Sequence, residues 1–429
     1  MRIVFITAGA AGMYCGSCMK DNTLVAQLVR DGHDAQLLPT YTPIRTDEED
    51  ISSERIFFGG INIYLEQSSW LFRHTPWFVD RLFNFPRLLR WISRLAMRTQ
   101  GEKLGALTLS MLRGDDGKQR KEIDKLLDYL QRSTPPDVIL ISNVLLSGMV
   151  PHFQRTLSKP IIAFLQGDDI FLESLPKDIR ADCLRLIREN ARSIDCFIAS
   201  SHYYADFMAE YLGVARTKIE VVYPGLNLSG WDMPAEVRAS PPYVIGYFAR
   251  ICPEKGLHNL VDAYCLLNTQ AGVPENRLKI SGWLGEHNRG YLNAALDKLK
   301  SHGLNEKCEY ISSPDRHGKI AFFRSLDILS VPTTYREPKG LYILEALANG
   351  VPVVQPAHGS FPELLEATHG GLIVPPGDTQ ALAEGLRHLL DNAPLRQQYA
   401  LNGAQAVRER FTAKNMASST IEILKRFVG

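Results

Sequence analysis

The sequence has no stretch approaching the roughly 20 consecutive apolar residues that would span a bilayer. It also lacks an N-terminal apolar core long enough for a secretory leader. The opening Met1-Arg2-Ile3-Val4-Phe5-Ile6-Thr7 is a short run ending in small residues, the pattern of a first buried strand. An excess of one charge sign is missing too. With 48 basic and 47 acidic residues the net charge is +1, which excludes bulk electrostatic attraction to nucleic acid. Seven scattered cysteines give no disulfide framework, so a reducing compartment is expected. The dinucleotide fingerprint G-x-G-x-x-G is absent after the first strand, which leaves NAD binding unsupported. No D-x-D motif stands where a metal-held diphosphate would need one, so neither a metal nor a cofactor is expected. These absences describe a cytoplasmic protein, with a peripheral membrane contact left open.

What is present is ordinary globular composition, 45% hydrophobic and 22% charged, in 429 residues. That length predicts two domains rather than one core. In the first half, strand-like runs at 3–7, 33–38, 57–65, 138–142, 161–165 and 196–200 alternate with helical patterns at 22–31, 121–132 and 184–192. Tyr223-Pro224-Gly225 and the proline-bearing stretch to Pro242 read as a linker. The rhythm then restarts, with strands at 243–249, 278–281, 308–311, 328–331, 351–355 and 372–374. Helices at 257–270, 289–300, 319–325, 341–349 and 380–391 fill the gaps. Strands alternating with helices imply right-handed βαβ units and parallel sheets. The expected fold is α/β, two doubly wound Rossmann-like domains facing a cleft, with extents 1–225 and 226–410 and an amphipathic tail at 411–429. Ligands in such folds sit at the carboxyl ends of the strands. One region breaks the rhythm: 66–113 interleaves Trp70, Phe72, Trp77, Phe78, Phe83, Phe85 and Trp91 with Arg73, Arg81, Arg87, Arg90, Arg94 and Arg98. It reads as an amphipathic helical excursion packed on the first domain; an acceptor wall or a membrane-surface contact are the alternatives.

The chemistry concentrates in Val331-Pro-Thr-Thr-Tyr-Arg-Glu-Pro-Lys-Gly-Leu-Tyr-Ile-Leu-Glu-Ala-Leu-Ala-Asn-Gly-Val-Pro-Val-Val. A buried strand gives way to a polar loop, Gly340 opens a helix, and Gly350 closes it. Unpartnered amides at a helix start hold anions, and glycine lets a phosphate approach. Glu345 stands alone among Ile343, Leu344, Ala346, Leu347 and Ala348, so its carboxylate needs a partner: a pair of sugar hydroxyls, or a structural salt bridge to a neighbouring strand. In Tyr247-Phe-Ala-Arg-Ile-Cys-Pro-Glu-Lys-Gly-Leu, Arg250 and Lys255 follow a buried strand. Two cations there suit a diphosphate, although an isolated Arg-Lys pair is more often solvated loop charge.

These stretches resemble the family 4 retaining glycosyltransferases of the GT-B fold, over nearly the whole chain. Glu337 and Glu345, with seven residues between them, fit the family's paired glutamates, with Gly340, Ala346, Gly350 and Pro352 in register. Arg250, Lys255 and Gly256 match its basic pair, with Ala249 in place of the usual first glycine. The resemblance implies transfer of a hexose from a nucleoside diphosphate sugar to a hydroxyl acceptor, with retention at the anomeric carbon. It implies that Arg250 and Lys255 neutralise the diphosphate, that Glu345 bonds the ribose, and that Glu337 contacts the hexose. The amides of Gly340 and Leu341 would touch sugar or phosphate. The loop region from Thr7 to Asn22, with Gly9, Gly12, Gly16 and Ser17, would approach the donor, and the last helix would cross back to the first domain. Cys15 and Cys18 within that region form a C-x-x-C with no second motif to complete a metal site. The sequence departs from its relatives at Gln166, where a histidine is usual. Gln166, Asp168 and Asn143 are therefore the candidate sugar or acceptor contacts, with a helix N-cap as the plainer role for the aspartate. Because glutamine is neither acid nor base, a nucleotide-sugar-binding protein with weak or no catalysis stays open, as does a phosphorylase or epimerase on the same fold. A lipid-linked or glycan acceptor is hinted at by 66–113.

Overall fold

Strand β1 (Arg2–Thr7) is buried along nearly its full length. Its neighbours β3 (Val138–Ile141), β4 (Ile161–Leu165) and β5 (Cys196–Ala199) are buried throughout. Continuous apolar strands of this kind need cover on both faces, which is why every pairing is parallel. Together with β2 (Asp34–Pro39) and β6 (Ile219–Val221) they form a six-stranded sheet in the order β2-β1-β3-β4-β5-β6. A second six-stranded parallel sheet has the order β12-β11-β10-β7-β8-β9. Its strands are β7 (Tyr243–Phe248), β8 (Asn276–Gly282), β9 (Cys308–Ser312), β10 (Ile328–Leu329), β11 (Val353–Pro356) and β12 (Gly371–Val374). This computed structural model describes residues 1–9, 13–54, 56–58, 101–132, 134–231 and 237–428.

The chain divides into two compact units, Met1–Tyr223 with Met416–Gly429, and Pro224–Asn415. In the first, helix α1 (Gly16–Arg30) lies on one face of the sheet through Leu24, Val25 and Leu28. The opposite face is covered by helices α2 (Gly101–Leu112), α3 (Arg120–Arg132) and α4 (Val150–Leu157), by α5 (Asp168–Glu173) and α6 (Lys177–Asn190), and by α7 (His202–Leu212). Local signals explain the ends of α7: the Ser201 side chain accepts from the Tyr204 amide, and Gly213 closes the helix in the left-handed region. The second unit carries α8 (Leu257–Thr269), α9 (Arg289–Ser301), α10 (Arg316–Arg324), α11 (Leu341–Ala348), α12 (Phe361–Thr368), α13 (Thr379–Asp391) and α14 (Ala393–Arg410). The C-terminal helix α15 (Ala413–Lys425) returns to the first unit. It adds Met416, Ala417, Ile421 and Leu424 to the core on the α1 face, beside Ile3, Phe5, Leu140 and Ile198.

Several expectations change. Phe57 and Phe58 are buried but lie in a bend rather than a strand, and 59–65 falls outside the described residues. The aromatic-basic stretch 66–100 also lies outside them. Immediately after it, α2 is helical, with Met111 and Leu112 in the first unit's core. Strand β10 is shorter than the apolar run that announced it, because the backbone turns away after Leu329 to build a loop.

Both sheets reverse their winding once, between β1 and β3 in the first and between β7 and β10 in the second. At such a reversal the loops leaving two adjacent strands diverge and open a crevice. The loops concerned are those after Thr7 and Ile141, and after Phe248 and Leu329. All the candidate residues except Gln166, Asp168 and Glu345 sit in them or at the helix starts they feed.

Candidate functional site

In the second unit the two diverging loops are stitched together. The Thr334 amide donates to the Glu254 carbonyl at 2.9 Å, and Asn259 Nδ2 donates to the Pro332 carbonyl at 3.2 Å. Gly256 sits between them with φ +70°, and a Cβ there would lie 1.8 Å from the Pro332 oxygen. The glycine is required by both backbone conformation and space.

That closeness sets Lys255 against Glu337. Lys255 Nζ donates to Glu337 Oε2 at 2.5 Å and to the Tyr335 hydroxyl at 2.5 Å. The Tyr335 hydroxyl donates to the same carboxylate oxygen, also at 2.5 Å, and Tyr342 reaches it at 3.4 Å. The other oxygen, Oε1, accepts from the amides of Lys339 at 3.2 Å and Gly340 at 3.3 Å. Gly340 is the N-cap of α11, so the Glu337 carboxylate occupies the place at a helix start where an anion is favoured. The Lys255 ammonium lies 5.0 Å from the ring centres of both Tyr335 and Tyr342. Burial alone would raise the Glu337 pKa; the charge and hydrogen bond of Lys255, with that of Tyr335, outweigh it and hold the group down at about 2. Burial, then the negative charge of Glu337, pushes both tyrosine hydroxyls well above their ordinary range, so they remain donors. Arg250 is half-buried just past β7, and its charge acts on Tyr335.

Glu345 lies on the buried side of α11. Its Oε1 accepts from Lys319 Nζ at 2.6 Å, and both residues are buried. The salt bridge considered from sequence is present, but its partner comes from a helix, α10, and not from a strand. The Lys319 ammonium and the Arg316 guanidinium lie 5.8 and 5.7 Å from the Trp231 ring centre. Leu341 opens α11 directly after Gly340.

In the first unit, Gln166 stands at the end of β4. Its Nε2 donates to Asp21 Oδ1 at 2.8 Å and to the Ser142 carbonyl at 3.0 Å. Thr7 donates to the other oxygen of Asp21 at 3.4 Å. Gly16 is the first residue of α1, and Ser17 Oγ donates to the Gln166 carbonyl at 3.5 Å. Asp168 does not act as the N-cap of its own helix, a place taken by Gly167. Its two oxygens accept the amides of Val144 and Gln166, each at 2.9 Å, tying the loop after β3 to the end of β4. Asn143 caps the short turn of helix after it by accepting from the Leu145 amide. Asp169 accepts from the Tyr204 hydroxyl at 2.5 Å. Thr7, Asp21, Ser142, Gln166 and Asp168 thus make one buried polar cluster at the carboxyl ends of β1, β3 and β4.

Burial is the main reason the Asp168 carboxyl is pushed up to about 6, and the two amide bonds pull the other way. A folded-state pKa above the unfolded one means that the native state keeps its proton longer. The contribution is complete below about 4 and is lost as pH rises through 6. Urea titrations at pH 4 and pH 7 should show wild type losing about 2–3 kcal/mol relative to Asp168→Asn over that interval. Parallel pH profiles would refute this.

Tyr335, Tyr342, Lys319 and Asp21 belong to these clusters and were not anticipated. Asp21 alone carried a local sign, a charge inside a helix buried on most sides. Among the described residues no group of three or more His, Cys, Asp or Glu side chains could hold a metal, and no helix is long and apolar enough to cross a membrane.

A family model described as Glycosyl transferases group 1 matches residues 232–406, and one described as Glycosyltransferase Family 4 matches residues 112–229. A glycogen synthase of Mycobacterium tuberculosis is 24% identical over 304 residues, covering 68% of this chain and 69% of its own. A phosphatidyl-myo-inositol mannosyltransferase of Mycobacterium leprae is 37% identical over 129 residues, 30% of this chain and 34% of its own. Among solved structures, HepE of Anabaena in complex with UDP is similar with a TM-score of 0.68 at 19% identity, over 99% of this chain and 100% of that one.

Proposed function

Since the chain belongs to the family 4 glycosyltransferases of the GT-B fold, we propose that it moves a hexose from a nucleoside diphosphate sugar to a hydroxyl acceptor, with retention, and that the winding reversal of the second sheet is its donor site. The observation carrying this reading is the convergence of Lys255, Glu337 and the start of α11 on one point, with Arg250 beside them. In this reading the diphosphate takes Lys255 and Arg250 as counter-ions. Their charge, with the amides at the helix start, offsets the charge that grows on the leaving group as its bond to the anomeric carbon breaks. Glu337, released from Lys255, accepts hydroxyls of the hexose. Glu345, oriented by Lys319, bonds the ribose. The acceptor oxygen approaches the face from which the diphosphate leaves, and no protein carboxylate acts as nucleophile.

Gln166 favours one rival, a protein that binds the donor without turning it over. Both amide hydrogens of Gln166 are engaged by Asp21 and Ser142, so it serves as a tie rather than a proton carrier. The acceptor is proposed as a glycan or lipid-linked hydroxyl, the latter in keeping with the phosphatidyl-inositol in the mannosyltransferase's name.

A thermal-shift panel of UDP-, GDP- and ADP-sugars tests the donor site, with UDP-sugars first because HepE holds UDP. At 100 times its dissociation constant the true donor should add about 2.7 kcal/mol of stability. Glu345→Gln, which keeps a hydrogen bond for Lys319, should raise that dissociation constant about tenfold or more. No response to any donor, or an unchanged response in the variant, would overturn the assignment. Sugar transfer or donor hydrolysis by the purified protein eliminates the binding-only rival.

A further inference from the structure

Cys15 and Cys18 take no part in the donor or acceptor chemistry, yet their placement is specific. Cys15 is the N-cap of the 15-residue helix α1, with extended backbone at φ −108° and ψ 121°, and its side chain caps nothing. The Met19 amide donates to the Cys15 carbonyl at 3.0 Å and closes the first turn. That turn brings the two residues onto one side of the helix, within the roughly 4.4–6.8 Å Cα separation that a disulfide accepts. The two thiols are hydrogen-bonded to each other, and Thr7 also bonds Cys18. Cys15 is partly exposed and Cys18 is buried.

We propose that Cys15 and Cys18 are a thiol–disulfide modification site, in which the outer sulfur takes the first attack and the inner one resolves it. The positive end of a helix favours an anionic sulfur at the N-cap. The hydrogen bond that Cys18 donates to Cys15, burial, and the negative charges of Cys15 and Asp21 push the Cys18 thiol far up, so it waits as a neutral thiol. The co-reactant is a low-molecular-weight disulfide. The Cys15 thiolate attacks one of its sulfurs, the small S–S bond breaks, and one thiolate leaves. Cys18 then gives up its proton, attacks the Cys15 sulfur and releases the second thiolate. The protein loses two protons and two electrons, and the small disulfide gains both as two thiols. The new bond encloses Gly16 and Ser17 in a closed loop, and Ser17 is the residue that bonds the Gln166 carbonyl.

The other cysteines do not share this setting. Cys183, Cys196, Cys252 and Cys265 are buried and Cys308 is partly exposed. Burial pushes Cys183 and Cys196 up to about 11 and Cys308 up to about 12, and raises Cys252 and Cys265, as expected for thiols that stay protonated.

The test needs no assumption about the sugar substrate. The full chain is equilibrated in glutathione buffers from fully reduced to strongly oxidised, remaining thiols are alkylated, and the peptides are weighed. The expected result is that Cys15 and Cys18 lose alkylation together, at least tenfold, in one two-electron transition, while the five other cysteines stay alkylated. Cys18→Ser should trap glutathione on Cys15, and Cys15→Ser should leave Cys18 a thiol throughout. Two results overturn the proposal: both cysteines alkylated in every buffer, or glutathione accumulating on wild-type Cys15 with Cys18 still a thiol. The wild-type titration decides alone if Cys18→Ser does not fold.

Discussion

Lys255→Met is expected to cost the fold about 3–5 kcal/mol, because it leaves the Glu337 carboxylate buried without its counter-ion. The side chain of Glu337 is 5% exposed and that of Lys255 13%, so water replaces the ammonium poorly. Glu337→Gln should cost less, since Lys255 is nearer solvent and glutamine still accepts from Tyr335. In the double variant no charge is stranded, and stability should return to within about 1–2 kcal/mol of wild type. Urea unfolding of the four proteins closes the cycle, and a coupling energy below about 0.5 kcal/mol would mean that the pair is not a unit. Turnover should respond differently. Both single variants and the double should lose on the order of 10²–10³-fold in kcat/KM, because restoring stability restores neither the Lys255 charge nor the Glu337 carboxylate that the proposed donor site uses.

The same pair sets an acid limit. Glu337 titrates at about 2 when folded and at 4.5 otherwise. Its folded pKa is depressed, so its contribution is present above about 4.5 and is lost as pH falls towards 2, on the order of 3 kcal/mol in all. Glu337→Gln should flatten stability across that range. This limb runs opposite to that of Asp168, whose contribution is lost as pH rises through 6, so the two groups bracket a maximum in stability between them.

Gly256→Ala should be among the most damaging small substitutions in the second unit. A left-handed alanine costs about 1–2 kcal/mol. The clash with the Pro332 carbonyl cannot be relieved by a rotamer, because both atoms belong to the backbone. The total should reach about 3–4 kcal/mol, with donor turnover down roughly 100-fold as Lys255 is pushed off Glu337. Gly272→Ala is the control. Gly272 has nearly the same φ, +72°, but a Cβ there meets nothing within 4 Å, so only the backbone term remains. Equal destabilisation of the two variants in thermal or urea melts would remove the clash from the explanation.

How much could be read in advance depends on how local each signal is. The strands were legible because parallel sheets bury both faces and leave unbroken apolar runs, as in Val138–Ile141 and Ile161–Leu165. The helix after Gly340 was legible from one glycine and a buried apolar stretch. The fold class came from their alternation. Helix α14 was missed because its apolar residues are spread around the axis rather than gathered on one side. The site was legible only where a motif kept its members close in sequence. Lys319 meets Glu345 across 26 residues, and Gln166 meets Asp21 across 145. No periodicity carries such contacts, since they depend on which strand lies beside which. Tyr335 stood two positions from Glu337 and was still passed over, because a loop tyrosine carries no mark of the carboxylate it will bond.

Helix α15 has a consequence for synthesis. The first unit needs Met416, Ala417, Ile421 and Leu424 to cover the face built by Ile3, Phe5, Leu140 and Ile198. Between Tyr223 and Met416 the ribosome must first make the whole of Pro224–Asn415. At about 5–20 residues per second that is a delay of roughly 10–40 seconds. The earliest strand of the protein therefore waits for its latest helix, the middle of the chain can close before its beginning, and a nascent chain stalled short of residue 416 exposes an apolar sheet face to whatever chaperone meets it first.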